Sequence, residues 1–186
     1  MAGEIILLNG PSSSGKSSIA RALQAAIDGA FWHVSIDKLR EAGVLPMARI
    51  RSGEFDWRGG LREAFFEGFH RSLPAYAGAG NSLIVEHIVE TEAWLRRLLE
   101  LLNGFDVFFV GVHCPLEELE RRELARGDRP IGEARRDFHT AHVHTTYDLE
   151  LDATQPPEAN AGRLMQAWKA RSHPSAFDRL AGGNRA

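Results

Sequence analysis

Short runs of β-branched and aromatic residues alternate along this chain with longer stretches in which apolar side chains recur every three or four positions. The first pattern is that of strands and the second that of amphipathic helices, and their alternation marks a parallel α/β architecture. Strands are predicted over residues 4–9, 32–36, 82–88, 106–113 and 147–152. The first and fourth are nearly unbroken apolar runs, which suits central strands covered by helices on both faces. Helices are predicted over 16–27, 61–76, 91–102, 115–126, 131–144 and 157–170. Ile19, Leu23 and Ile27 share one face of the first helix. Pro115, Glu117 and Glu118 open the fourth, Arg121, Arg122 and Arg126 close it, and Gly127 stops it, the order that the helix dipole and glycine's left-handed freedom favour. Irregular chain is expected over 43–60, at the 127–132 turn, and in a fraying tail after Ser172.

The chain's 186 residues, 44% apolar, suffice for one domain with one core, placed here at residues 1–171 with a small lid around 122–135 and a tail at 172–186. A net charge of −3 gives no global reason to coat nucleic acid or an anionic membrane. Cys114 is the sole cysteine, so no intramolecular disulfide is expected. The opening apolar run, 5–8, is too short for a secretory or spanning segment. The expected setting is cytoplasmic, with no membrane partner.

The sharpest signal is Gly10-Pro11-Ser12-Ser13-Ser14-Gly15-Lys16-Ser17, which matches G-x-x-x-x-G-K-[ST] between the first strand and the first helix. Such a loop turns successive backbone N–H groups inward onto phosphate oxygens, and the helix N-terminus, continuing into Ser18, adds partial positive charge. Lys16 is expected to reach the β and γ phosphates, and the Ser17 hydroxyl to ligate Mg²⁺. The chain has no N-K-x-D triplet for guanine and no L-S-G-G-Q stretch. A compact kinase with an arginine-bearing lid fits these features.

Three further places carry candidate chemistry. Asp37 follows the second strand, where the C-terminal strand ends of an open parallel sheet surround a ligand. A carboxylate there can accept or orient the proton of an attacking hydroxyl, while the simpler reading is an N-cap for a helix starting at Lys38. The third strand delivers Glu86 and His87 to the same edge of the sheet, Glu86 as a holder of Mg²⁺ or a contact to the acceptor, His87 as an acceptor contact. Arg126 and Arg129 flank Gly127-Asp128, suited to neutralising charge on a transferring phosphoryl group. Arg122 is a third candidate, against which Glu118 stands four residues earlier as an ordinary helical pair. His139, His142 and His144, with His113 and Cys114, do not converge at zinc-ligand spacing and read as a solvated face.

Taken in order, the 5–17 stretch, Ser35-Ile36-Asp37-Lys38-Leu39, Phe109-Val110-Gly111-Val112-His113-Cys114, the run from Arg122 to Arg129, and Tyr147-Asp148-Leu149-Glu150-Leu151-Asp152 resemble chloramphenicol phosphotransferase over about residues 4–170. The resemblance implies a three-layer P-loop kinase fold with a five-stranded parallel sheet, like adenylate or shikimate kinase. It also implies ATP as donor, Mg²⁺ as cofactor and a small hydroxylated molecule as acceptor. It assigns the general base to Asp37, phosphate and Mg²⁺ binding to Lys16 and Ser17, the lid to Arg122, Arg126 and Arg129, and the adenine side to the loop at Ala153 and Thr154. The sequence departs from the family at Glu86-His87, where that kinase carries two acids, and over 43–61, a stretch with little likeness. Two rivals stay open: a kinase of a sugar, sugar-nucleotide or nucleoside metabolite, and an ATP-binding switch or scaffold that transfers nothing. Phe65, Phe66 and Phe69 read as core, with a homo-oligomer interface as the alternative.

Overall fold

The computed structural model describes residues 1–127 and 131–183, with every side chain in that span except that of Arg58. Five parallel strands form one sheet, β1 (Ile5–Asn9), β2 (Phe31–Ser35), β3 (Ser82–His87), β4 (Val107–His113) and β5 (Leu149–Asp152), in the order β2-β3-β1-β4-β5. Because parallel neighbours must be joined by crossovers, helices fill the gaps in sequence and cover both faces. Those helices are α1 (Lys16–Ala26), α2 (Ile36–Glu41), α3 (Met47–Arg51), α4 (Arg62–Gly78), α5 (Glu92–Leu101), α6 (Leu116–Arg126), α7 (Glu133–Phe138), α8 (Pro157–Lys169) and α9 (Ala176–Gly183).

Alternation along the strands divides the core in two. Ile6, Leu8, Ile84, Phe108 and Val110 pack with Ile19 and Leu23 of α1 and Leu164 and Trp168 of α8. Ile5, Leu7, Leu83, Val85 and Phe109 pack on the other face with Phe69 and Leu73 of α4, Leu98 of α5 and Phe177 of α9. Phe66 and Phe69 are therefore core, and Phe65 is half-buried against Trp57. The outcome is the three-layer α/β sheet that the strand and helix pattern implies. Among the described residues, no helix is long and apolar enough to cross a membrane.

Several boundaries differ from the sequence expectation. The second strand begins at Phe31, whose carbonyl accepts from Gln24 Nε2 at 2.7 Å while its ring meets Trp168 edge-on. It ends at Ser35, so Asp37 lies in the first turn of α2 rather than at the strand end. The 43–60 stretch holds α3 and a wide helical turn, Trp57–Leu61, broken at Gly60 by a φ of 105°. The helix expected over 131–144 is shorter, Glu133–Phe138, and beyond it the Ala141 carbonyl accepts from Asn9 Nδ2 at 2.6 Å. The described part of the segment expected to fray, residues 173–183, carries α9, which seats Phe177, 2% exposed, against Phe109.

Candidate active site

The chain leaves β1 at the point where its neighbours β3 and β4 lie on opposite sides, the switch point at which open α/β sheets bind ligands. The glycines of the loop there are required for two different reasons. Gly15 has a φ of 92°, a left-handed conformation that opens α1. At Gly10 a Cβ would lie 2.5 Å from the Val112 carbonyl oxygen, so the loop can sit against β4 only without a side chain. Lys16 Nζ donates to the Gly10 and Pro11 carbonyls, each at 2.7 Å, and approaches Ser14 Oγ at 3.4 Å. Ser13 takes a φ of 63°, and its buried Oγ finds no partner among the described residues. Glycine-bounded loop, buried lysine and unsatisfied hydroxyl fit a phosphate-bearing ligand.

Ser17 and Ser18 lie in the first turn of α1, and the Ser17 hydroxyl donates to Glu86 Oε2 at 2.7 Å. The other Glu86 oxygen, Oε1, meets His33 Nε2 of β2. Burial works to raise the Glu86 carboxyl, but the hydrogen bonds from His33 and Ser17 and the nearby Lys16 charge outweigh it and hold the group below its ordinary value. Hydroxyl and carboxylate oxygens side by side are the hard donors that suit Mg²⁺, which keeps much of its water shell. His33 was not legible as a site residue, since one histidine in an apolar strand gives no periodic signal.

Glu86 and His87 line the same cleft from opposite faces of β3. His87 is 2% exposed, its Nε2 lies 2.7 Å from His70 Nε2, and Phe66, Phe69 and Trp94 surround the pair. Burial pushes His87 down to about 3 and His70 to about 4, so both rings are neutral near pH 7.

Asp37 lines the cleft from α2, a third exposed, with Arg40 Nη1 4.0 Å from its Oδ1. It is not the cap: Ser35 takes that place, its Oγ accepting from the Lys38 N–H at 3.1 Å. Arg122 makes the helical pair with Glu118 and also reaches beyond it. Its Nε pairs with Glu118 at 2.6 Å, while its terminal nitrogens reach the Ser14 carbonyl at 3.4 Å and the Ala153 carbonyl at 2.9 Å. It thereby ties the P-loop to the loop after β5, where Thr154 is held by Asp152 Oδ1 through both N–H and hydroxyl. Arg126 lines the cleft, whereas Arg129 lies outside the described residues.

The folded chain adds groups that sequence spacing did not reveal. Glu123, 5% exposed, accepts from the Gly132 and Ala134 N–H groups, both at 2.8 Å, and so caps α7 from α6. On α7, Arg136 binds Asp137 Oδ1 at 2.7 Å, and Asp137 Oδ2 accepts from the Ser12 N–H at 3.2 Å. Arg136 also lies 4.0 Å from Glu90, which Arg62 holds at 2.5 Å. Burial raises the Glu90 carboxyl even against the Arg62 charge. The whole cleft measures about 1200 Å³. Its lining also includes Met47, Ile50, Trp57 and Phe66, together with Arg40, Arg51 and Arg62.

Comparisons with known proteins bear on the family and the fold. The sequence model of the family described as chloramphenicol phosphotransferase-like protein matches residues 3–169. A protein of Mycobacterium tuberculosis strain H37Rv named "Putative O-phosphotransferase" is 35% identical over 197 aligned positions, covering 96% of this chain and 88% of that protein. Among solved structures, the APS kinase of Mycobacterium tuberculosis in complex with AMPPNP and APS superposes with a TM-score of 0.68 at 18% identity, over 90% of this chain and 98% of that one. A gluconokinase from Sinorhizobium meliloti gives 0.58 at 21% identity, over 92% and 98%. The shikimate kinase of Aquifex aeolicus gives 0.54 at 17%, over 89% and 96%. At such identities these likenesses show the fold, that of the P-loop kinases. The chain belongs to the chloramphenicol phosphotransferase-like family.

Proposed function

We propose that the protein is an ATP-dependent phosphotransferase that moves the γ-phosphoryl group of ATP to a hydroxyl of a small molecule. The observation that carries this reading is one cleft lined by the phosphate loop, a Ser17–Glu86 oxygen pair and the partly exposed carboxylate of Asp37. Lys16 leaves its loop carbonyls for the β and γ phosphates, and the loop N–H groups bind the phosphate oxygens. Ser17 and Glu86 would hold Mg²⁺, whose chemistry is to neutralise charge between the β and γ phosphates. Arg126 and Arg136 line the path of the transferred group, and Arg129 is proposed with them from the family resemblance. Asp37 orients the acceptor hydroxyl and takes its proton as the new oxygen–phosphorus bond forms and the bond to the departing ADP breaks. Arg122 and the Ala153–Thr154 loop bound the nucleotide end, and Glu86 and His87 the floor toward the acceptor.

Chloramphenicol is the first acceptor to test, since the family is described by it. Incubation with γ-labelled ATP, Mg²⁺ and chloramphenicol is expected to give a phosphorylated product by mass spectrometry. The yield is expected to fall about 10²-fold or more in Asp37→Ala, with ATP binding retained. Full turnover by that variant rejects the assignment of Asp37. The arginines Arg40, Arg51 and Arg62 at the acceptor end favour a second reading, a kinase of a more polar metabolite such as a sugar, sugar-nucleotide or nucleoside. A panel of those acceptors separates the two. ATP binding without transfer to any acceptor would favour a nucleotide-dependent switch.

A further inference from the structure

We propose that His33 is a positioning residue for the divalent-cation end of this site: through Nε2 it fixes the Glu86 carboxylate so that the opposite oxygen faces the Ser17 hydroxyl. The inference rests on the kinase reading above and deepens it.

The argument begins with strand register. β2 and β3 are parallel, with Ser35 opposite Glu86 and His33 opposite Ile84. Side chains alternate along a strand, so His33, Ser35, Ile84 and Glu86 all point to the face that α1 covers. Phe31, two positions before His33, confirms that face by its place in the core with Ile19 and Leu23. An apolar residue at position 33 would continue the same packing.

A histidine in that place is instead buried to 1% side-chain exposure, and Glu86 to 7%. Buried polar groups are costly unless they are hydrogen-bonded, and His33 has Glu86 Oε1 as the partner of its Nε2. Its Nδ1 is buried with no partner among the described residues. Donation to a carboxylate requires the proton on Nε2, and whichever role Nδ1 then takes, it stays without a partner among the described residues. The chain thus carries an unsatisfied ring nitrogen in exchange for one directed bond to Glu86.

That bond decides which way the carboxylate faces. With Oε1 engaged by His33, Oε2 is the oxygen left for Ser17, at 2.7 Å. Serine hydroxyl and carboxylate oxygen are then pre-arranged for a cation before any nucleotide arrives. Partners one shell away from a metal orient the ligands in this manner, and their loss weakens metal binding by about 10–100-fold.

The test uses Mn²⁺ as a spectroscopic probe with the full chain and a non-hydrolysable ATP analogue. Free Mn²⁺ is read by electron paramagnetic resonance, and analogue affinity without metal is measured separately by calorimetry. In His33→Leu, Mn²⁺ affinity in the presence of the analogue is expected to fall about 10-fold or more, with metal-free analogue affinity within about two-fold. His33→Gln, whose amide can donate to Glu86, is expected to recover most of the loss. Equal Mn²⁺ affinity in wild type and His33→Leu overturns the inference alone. So does an equal loss of Mn²⁺ affinity in the Leu and Gln variants, or a loss of metal-free analogue affinity that parallels it, since either marks a packing role. Failure of the wild type to bind Mn²⁺ with the analogue overturns the inference together with the kinase reading beneath it.

Discussion

The carboxylate of Asp137 accepts a hydrogen bond from the backbone N–H of Ser12 at 3.2 Å, joining α7 to the crown of the phosphate loop. The same carboxylate neutralises Arg136 at 2.7 Å and is 1% exposed. Asp137→Ala is therefore expected to destabilise the protein by about 1–3 kcal/mol, roughly 3–10 °C in Tm for a chain of this size. The apparent KM for ATP should rise as well. Scanning calorimetry and initial rates check the two effects, and an unchanged Tm would mean that the contact contributes little.

Arg122 bridges the phosphate loop and the loop after β5 through the Ser14 and Ala153 carbonyls. Charged hydrogen bonds of this kind contribute about 1.5–3 kcal/mol, so Arg122→Ala should weaken nucleotide binding about 10–100-fold. Arg122→Lys should not restore it, because a single ammonium cannot span two carbonyls while pairing with Glu118. Nucleotide titration of the two variants decides the matter.

A Cβ at Gly111 would lie 2.6 Å from the Tyr147 ring. The Tyr147 hydroxyl meets Asn9 Nδ2 at 2.8 Å and His142 Nδ1 at 2.6 Å, and burial pushes its phenol up to about 12, so it stays protonated. Gly111→Ala must displace the ring and loosen that group, at a cost of about 1–3 kcal/mol. A urea midpoint equal to wild type would contradict this.

Stability is expected to fall with acid in a window set by His70 and His87. Their folded values, about 4 and about 3, lie below the roughly 6.5 of an unfolded histidine. Between those limits the unfolded chain binds protons that the folded chain refuses. The contribution is thus fully present above pH ~6.5 and is lost progressively as pH falls through about 4 toward about 3. A His70→Asn/His87→Gln double variant should show a smaller drop in urea midpoint between pH 7.5 and pH 5 than wild type, whatever its stability at pH 7.5.

The last helix supports the fold. Phe177 meets Phe109 edge-on, and Asp148 Oδ1 accepts from the Ala176 N–H at 2.6 Å. Phe177→Ala should cost about 3–5 kcal/mol, seen as a fall in Tm of roughly 10 °C or more. A negligible change would return the segment to the fraying tail that its composition suggests.

Much of the frame was legible in the chain itself. Apolar runs at 5–8 and within 106–113 read as central strands, and the glycines at 10 and 15 with Lys16 marked a phosphate loop because few residue types can adopt that backbone. Those signals are local: they depend on periodicity, on φ and on the chemistry of adjacent residues, all of which the sequence states directly. Contacts between distant segments were not legible. Glu86 could be placed at a strand end, but its bonds to Ser17 and His33 depend on how three elements pack. Asp137 on Ser12, Glu123 capping α7 and α9 closing over Phe109 likewise join residues far apart in the chain. The sequence determined the five strands, most of the longer helices and the place of the phosphate loop. Tertiary packing alone decided which buried polar groups meet, because each had several local alternatives and only the assembled core removed water from all but one.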